Sequence, residues 1–546
     1  MPSHVTSVCP ACGARATFDL AVRACPACGG DLLLAEYAPE RARAELPRLW
    51  RNYDLGLRRW ASLLPLRQPG AMITLGEGDS PLLPMVNVFR GRHVFVKDER
   101  QNPTISFKDR QAALAVSAMR EAGITEAVVA STGNVAIAYA AYCARAGIKL
   151  HAFLTSMVPA DKMREVALYG AQVIKLATTY DDSKVLAQQF ADQRGMYYDR
   201  GLRSIPSLES MKTIAFELAE QLGALTPGEG PRYAAPDWYI QSVSGGLGPI
   251  GVLKGFQELH ALGLIDRLPK LACVQVEGCA PMVSAYAAGE AQARPVADPR
   301  TRVSTLATGS PGKAYGLLKT YIDTHGGTML AVRDEDGFRA MHQLARHEGL
   351  SMEPGAAVAF AGLNALVDAG SIGPDETVVA NCTGHTFAVE SDVLGEEWLR
   401  DLSIDQPAAE LEGVLAALNR LDDRVSTIAI IDDTPDAVRL LKRVLQEAGD
   451  YRILEADNGR DGLSLIRAYR PDLIILDLMM PELDGFAVLD ALRADEPLRA
   501  TPVIVVTAKA LTQHERARLA RQAGKVWMKG DLVSDALIED VQRALR

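Results

Sequence analysis

Short apolar runs alternate with longer segments in which apolar residues recur every three or four positions, from about residue 36 to 400. The short runs are Val94-Phe95-Val96-Lys97, Ala127 to Ala130, Lys149 to Leu154, Trp238 to Ser244, Leu271 to Val276 and Thr377 to Ala380. Their length and β-branched content predict buried strands, whereas the spacing in Ala112 to Ala122 and Ile250 to Leu262 predicts helices. Strands separated by helices give a largely parallel α/β sheet covered on both faces. A region this long predicts two subdomains with an active site between them. Residues 405–423 begin polar and then space Leu411, Val414, Leu415 and Leu418 as a short amphipathic helix, which reads as a linker. A fresh strand–helix alternation follows to the end of the chain. The predicted domains are 1–35, 36–402, a linker at 403–424, and 425–546.

At 546 residues, 48% apolar and 23% charged, the composition is that of a soluble globular protein. No window approaches eighteen uninterrupted apolar residues, so no membrane span is expected. A net charge of -10 argues against a nucleic-acid partner. The start, Met1 to Thr6, lacks a basic stretch followed by an apolar one, so a cytoplasmic protein is expected. Four of the eight cysteines fall in the first thirty residues, as Cys9-x-x-Cys12 and Cys25-x-x-Cys28. Two such knuckles match a four-thiolate zinc ribbon, and Gly13, Gly29 and Gly30 let the backbone turn tightly around the ion. Two disulfides are the alternative, disfavoured in a reducing cytosol. An all-thiol set leaves no open position, so the metal would be structural. Cys143, Cys273, Cys279 and Cys382 lie in apolar contexts and are expected in the core.

Three strand ends carry candidate chemistry. Lys108 sits in Asn102-Pro103-Thr104-Ile105-Ser106-Phe107-Lys108-Asp109-Arg110, between a strand and a helical pattern. A lysine at such a corner can bond an aldehyde cofactor, given a lowered pKa or an activating neighbour. A surface lysine in a charged stretch is the ordinary alternative. The strand ending at Ala130 runs into Ser131-Thr132-Gly133-Asn134, and the strand ending at Ser244 runs into Gly245-Gly246-Leu247-Gly248-Pro249. Glycines let successive N–H groups converge on an anion, and a helix starting near Pro249 would add its dipole.

Together with Leu75-Gly76-Glu77-Gly78-Asp79-Ser80-Pro81-Leu82 and Cys382-Thr383-Gly384-His385, these motifs resemble the threonine synthases. More broadly they resemble the fold-type II pyridoxal-phosphate enzymes, with cysteine synthase, cysteate synthase and serine/threonine dehydratases. The resemblance covers roughly residues 1 to 400 and implies the two-subdomain, three-layer fold of that family, with pyridoxal 5'-phosphate as cofactor. It implies that Lys108 bonds the cofactor and acts as general base, and that Asn134 meets the ring hydroxyl. Ser244, Gly245, Gly246, Leu247 and Gly248 would hold the cofactor phosphate. Thr383 would face the ring nitrogen, and Ser131, Thr132 and Gly133 would take the carboxylate of an amino-acid substrate. Departures from the threonine synthase pattern are Val135 after the asparagine, Ile105 where a small residue is common, and the SGGLG phosphate loop. Lys162 and Arg164 are candidates for the anion of a phosphorylated substrate, with a solvated helix start as the favoured reading. The expected reaction is O-phosphohomoserine and water to threonine and phosphate. A β-replacement synthase or a non-catalytic amino-acid sensor are the alternatives, and a homodimer is expected.

In the last domain, Thr427 to Ile431 ends in Asp432-Asp433, Leu473 to Leu476 in Asp477, Val503 to Val506 in Thr507, and Val526 to Met528 in Lys529. Polar residues at the carboxyl ends of parallel strands gather ligands, and three carboxylates suit Mg²⁺. Aspartates also end strands as turn residues and helix caps. The set resembles a response-regulator receiver, a flavodoxin-like (βα)₅ domain. That implies phosphorylation at Asp477, and Mg²⁺ held by Asp432, Asp433, Asp477 and the Met479 carbonyl. Thr507 and Lys529 would contact the phosphoryl group, and a histidine kinase or phosphotransfer protein would be the partner. Gly530 replaces the proline usual after the lysine, and Val526 precedes Trp527 where a switch aromatic is customary.

Overall fold

The computed structural model describes residues 5–50, 53–225, 228, 231–385, 399–402, 427–448, 451–481, 483–495, 497–509, 511–529 and 534–545. The chain forms two compact units, Met1–Leu415 and Ala416–Arg546. The linker helix expected over 403–424 and Gly530 lie outside the described residues.

The first unit opens with a three-stranded antiparallel sheet, in which Val5–Val8 lies between Arg15–Thr17 and Leu34–Tyr37. Two larger sheets follow. The six-stranded one runs in the order Gly327–Val332, Lys270–Val276, Trp238–Ser242, Val378–Cys382, Val94–Asp98, Leu82–Pro84. Its pairs are parallel except the last, which is antiparallel. The five-stranded one runs Leu399–Leu402, Gln172–Leu176, Lys149–Thr155, Glu126–Ser131, Tyr197–Tyr198, all parallel. Near-continuous apolar runs such as Ala127 to Ala130 are buried along their length, as helix-covered sheets require. The expected strands are present, with ends shifted by one or two residues.

One helix begins earlier than its sequence suggests. The segment after the glycine loop is helical over Leu247–Ala261, with Gly246 as a left-handed N-cap at φ 79°. Leu247 and Gly248 therefore belong to the first turn rather than to a loop before Pro249. Glycine accepts the positive φ without a Cβ clash, so the turn can tighten directly onto the helix.

Charges are buried behind the Lys108 corner, and each is paired. Arg110 Nε lies 2.8 Å from Glu99 and its Nη1 2.6 Å from Glu217, while Lys97 Nζ lies 2.7 Å from Glu217. Arg59 lies 2.8 Å from both Asp79 and Glu220. Breaking one such pair would leave an uncompensated buried charge at a cost of about 3–5 kcal/mol. The network ties Asp79 and Ser80 of the LGEGDSPL stretch to helices Lys108–Glu121 and Ile205–Gly223.

The second unit is a parallel sheet in the order Arg452–Ala456, Thr427–Ile431, Leu473–Leu476, Val503–Thr507, Lys525–Met528. Ala429 and Ile431 pack into one apolar cluster and Ile428 and Ile430 into another, so helices cover both faces. No helix among the described residues is long and apolar enough to cross a membrane.

Candidate active site

A cavity of about 640 Å³ lies between the two large sheets of the first unit. Lys108 stands at the first position of its helix, beyond the strand Val94–Asp98. Its loop is zipped to the late loop: Phe107 N donates to Thr383 O at 3.0 Å, His385 N donates to Ile105 O at 3.0 Å, and Ser106 bridges Gly384. Residues nearly 280 positions apart in sequence thus meet at one wall. The zip holds Ile105 at φ 55°, costly for a β-branched residue by about 1–3 kcal/mol.

Among the described residues, no hydrogen bond engages Lys108 Nζ, which lies 4.1 Å from the centre of the Phe107 ring. Burial disfavours its ammonium form and, against the opposing charge of Glu353, brings its pKa down to about 8. The amine is therefore partly neutral near physiological pH and faces the cavity.

Across the cavity, the strand Glu126–Ser131 delivers Ser131 to Asn134. Ser131 Oγ accepts from Gly133 N at 2.9 Å and Ala136 N at 3.2 Å, capping the next helix. Asn134 is clamped: its Nδ2 donates to Glu353 Oε1 at 2.7 Å, and its Oδ1 accepts from Lys162 Nζ at 2.6 Å. Lys162 Nζ also donates to Glu353 Oε2 at 2.9 Å. This fixes the amide orientation and leaves one Nδ2 hydrogen for another acceptor. A Cβ on Gly384 would stand 2.7 Å from Glu353 Oε1 and push that carboxylate off Asn134.

The glycine turn is equally constrained. A Cβ on Gly246 would lie 2.9 Å from the Ala314 methyl, and one on Gly248 would lie 2.4 Å from Gln241 Nε2. A Cβ on Gly245 would meet nothing within 4 Å, so that face of the backbone is open. Ser244 Oγ hydrogen-bonds Thr308 Oγ1 beside it. An open glycine backbone at a helix N-terminus suits a phosphate, so amine, clamped amide and cradle fit pyridoxal phosphate in one cavity.

Of the residues expected here, Lys108, Ser131, Thr132, Asn134, Ser244, Gly245, Gly246, Leu247, Gly248 and Thr383 line the cavity. Gly133 is not among the lining residues; it backs onto Lys162, whose Cδ would lie 3.0 Å from a Cβ. Lys162 departs from the solvated helix start expected of it, being 9% exposed and bound to Asn134 and Glu353. Arg164 pairs with Asp161 at 2.7 Å. Glu353 and Thr308 carry no strong sequence signal; the only hint is an acid directly before a helix-starting proline, Glu353-Pro354.

Two further clusters stand apart. The Sγ atoms of Cys9, Cys12, Cys25 and Cys28 all lie within 4.8 Å of one another, with Cys9–Cys28 and Cys12–Cys25 at 3.6 Å. A disulfide needs about 2.05 Å, whereas a tetrahedral ion about 2.3 Å from each thiolate sets sulfurs roughly 3.8 Å apart. The spacing fits zinc. The other four cysteines are buried. In the second unit, Asp432, Asp433 and Asp477 bring carboxylate oxygens within 4.8 Å of one another. Lys529 Nζ lies 2.8 Å from both Asp432 and Asp477. Burial works against the Lys529 charge, but hydrogen bonds and the charges of both aspartates outweigh it and raise its pKa. Thr507 is fully buried at its strand end, and Met479 N donates to Asp477 Oδ1 at 3.2 Å.

Residues 73–384 match the family described as pyridoxal-phosphate dependent enzyme, and residues 428–530 match the response regulator receiver domain. The threonine synthase of Methanosarcina acetivorans is 34% identical over 411 residues, covering 73% of this chain and 96% of the relative. That of Methanocaldococcus jannaschii is 33% identical over 382 residues, covering 69% and 91%. Among solved structures, maize serine racemase superposes with a TM-score of 0.50 at 19% identity over 62% of this chain and 94% of that one, a likeness of fold.

Proposed function

We propose that this chain, which belongs to the pyridoxal-phosphate dependent enzyme family and is a lyase carrying a receiver domain, converts O-phosphohomoserine and water to threonine and phosphate. The observation that carries the reading is the partly neutral Lys108 amine, in one cavity with the clamped Asn134 amide and the open glycine turn. The threonine synthase relatives supply the choice of substrate.

Pyridoxal phosphate, when bound, withdraws the electron pair left on the substrate Cα after deprotonation. Lys108 would hold the cofactor, Asn134 its ring hydroxyl, and the Ser244 to Gly248 turn its phosphate. Thr383 would meet the ring nitrogen with a neutral hydroxyl, which suits elimination and replacement chemistry. Lys108 Nζ takes the Cα proton as general base, a role its pKa of about 8 allows near neutrality. Glu353 and Lys162 keep the Asn134 amide oriented, so the hydrogen it offers points one way. The Thr132 N–H and hydroxyl, with the Ser131 O–H, would take the substrate carboxylate, while Gly133 N–H is held by Ser131 Oγ and shapes the turn. Incubation with O-phosphohomoserine should release phosphate and threonine in equal amounts. Turnover of O-phosphoserine in its place would move the assignment to a β-replacement synthase.

In the receiver, Asp477 would accept a phosphoryl group from a histidine kinase or phosphotransfer protein. Asp432, Asp433, Asp477 and the Met479 carbonyl would hold Mg²⁺ there, with Thr507 and Lys529 meeting the phosphoryl oxygens. The four ribbon thiols would hold a structural zinc, consistent with a reducing cytoplasm. A homodimer is the assembly we expect, with phosphorylation tuning catalysis.

A further inference from the structure

Neither Lys162 nor Arg164 is among the residues that line the cavity, and each has a carboxylate of its own, Glu353 and Asp161. The cavity offers other cations, and they stand where the ribbon meets the catalytic body. The strand Tyr197–Tyr198 pairs in parallel with Ala127 and Val128, and Asp199 N still donates to Val128 O at 3.1 Å. Adjacent strands run about 4.8 Å apart, so Arg200 leaves the sheet at the same edge as Ser131. Arg200, Arg203 and Lys313 all line the cavity.

The ribbon closes this edge. Its Leu32 lines the same cavity, and Phe18 and Leu33 share an apolar cluster with Ile205, just beyond Arg203. Arg200 Nη2 donates to the Arg23 carbonyl at 2.7 Å. Asp31 lies 3.0 Å from Arg203 and 2.6 Å from Lys313. Among the described residues, Arg200 makes no ion pair; its neighbour Asp199 turns inward, accepting from Gly201 N at 2.9 Å and Ser207 Oγ at 3.0 Å. At this edge Arg200, Arg203 and Lys313 face a single carboxylate, Asp31 of the ribbon, whereas the neighbouring lining charges Lys184 and Asp181 neutralise each other at 2.5 Å. Burial and the charges of Arg203 and Arg23 all press against the Arg200 charge, a strain that a bound anion would relieve.

We propose that Arg200, Arg203 and Lys313 form an anion-binding rim for the phosphate ester of the substrate, with Asp31 of the ribbon as the counter-ion that tunes its affinity. A planar guanidinium matches two phosphate oxygens at once, and a second guanidinium and an ammonium add charge without a fixed geometry. The ribbon is then a working wall of the catalytic cavity. The identity of the anion as a phosphate ester rests on the proposed threonine synthase reading; the rim itself does not.

Inorganic phosphate titrated calorimetrically into the full-length holoenzyme, whose cofactor fills the glycine turn, tests the rim without turnover. Arg200→Gln should weaken phosphate binding about tenfold or more, whereas Asp31→Asn should tighten it several-fold by removing a competing carboxylate. KM for O-phosphohomoserine should move in the same two directions, with cofactor absorbance unchanged. A misfolded ribbon would not tighten binding, so the opposite signs separate recognition from damage. Equal phosphate affinity in all three proteins, or weaker binding in Asp31→Asn, would overturn the proposal even if threonine is made. Affinities that move as expected in a protein that makes no threonine would leave the rim standing and remove the proposed reaction.

Discussion

Lys108 and Lys529 are both lysines at the carboxyl edge of a parallel sheet, and their surroundings give them opposite chemistry. Lys108 is desolvated beside an aromatic ring, with Glu353 as an opposing but unbonded charge, and its pKa falls to about 8. Lys529 is also partly desolvated, yet two aspartates at 2.8 Å hold its proton and raise its pKa. The first setting suits the nucleophile and base proposed for Lys108, and the second suits the fixed cation proposed to meet a phosphoryl group. Strand-end position supplies access, and hydrogen-bonded carboxylates decide whether the amine reacts or anchors.

Lys108→Ala should lower turnover by roughly a thousandfold or more, while phosphodonor labelling of Asp477 stays intact. Retention of substantial turnover would show that another group is the base. The converse change, Asp477→Asn, should abolish phosphodonor labelling and leave the basal turnover of the unphosphorylated enzyme within about twofold. Label persisting in that variant would place the acceptor elsewhere.

Glu353→Gln takes away the carboxylate that supports the Lys108 charge. Removing a negative neighbour disfavours the ammonium form, so the Lys108 pKa should fall below about 8 and the acid limb of the kcat profile should shift to lower pH. The single carbonyl oxygen of glutamine cannot accept from both Asn134 and Lys162, so the clamp on the Asn134 amide loosens and kcat should drop about tenfold. An acid limb that stays put would sever Glu353 from Lys108.

The smallest effects are on stability, and they have opposite signs. Lys108 has a folded pKa of about 8 against a usual 10.5, so the cofactor-free fold gains stability as pH rises between those values. Replacing it with methionine should therefore stabilise the cofactor-free protein near pH 7 by on the order of 1–3 kcal/mol. Lys529, with its pKa raised, contributes stability that is fully present below its unfolded pKa and is lost as pH climbs through the folded one. Lys529→Met should accordingly lower the thermal midpoint of the receiver at neutral pH and have little effect at strongly alkaline pH. Melting curves that move the same way for both variants would erase the distinction.

Much of this architecture is legible in the amino-acid sequence, because strand-to-helix corners are written locally. Glycines at 245, 246 and 248, aspartates at strand ends and paired Cys-x-x-Cys knuckles announce backbone geometry and ligand chemistry in a few residues. What the sequence hides is what tertiary packing brings in. Glu353 reaches Asn134 from 219 positions away, and Lys162 reaches Glu353 across 191. Asp31 meets Lys313 across 282. No local pattern marks such partners. The helix start at Leu247 is hidden differently, since neither Leu247 nor Gly248 resembles an N-terminal residue and the left-handed Gly246 alone sets the turn.

The most direct test of the account is where the cofactor is bonded. Holoenzyme reduced with borohydride, digested and mapped by mass should carry the pyridoxyl label on the peptide containing Lys108 and on no other. A label on Lys162 or any other lysine, or no label at all, would contradict the account.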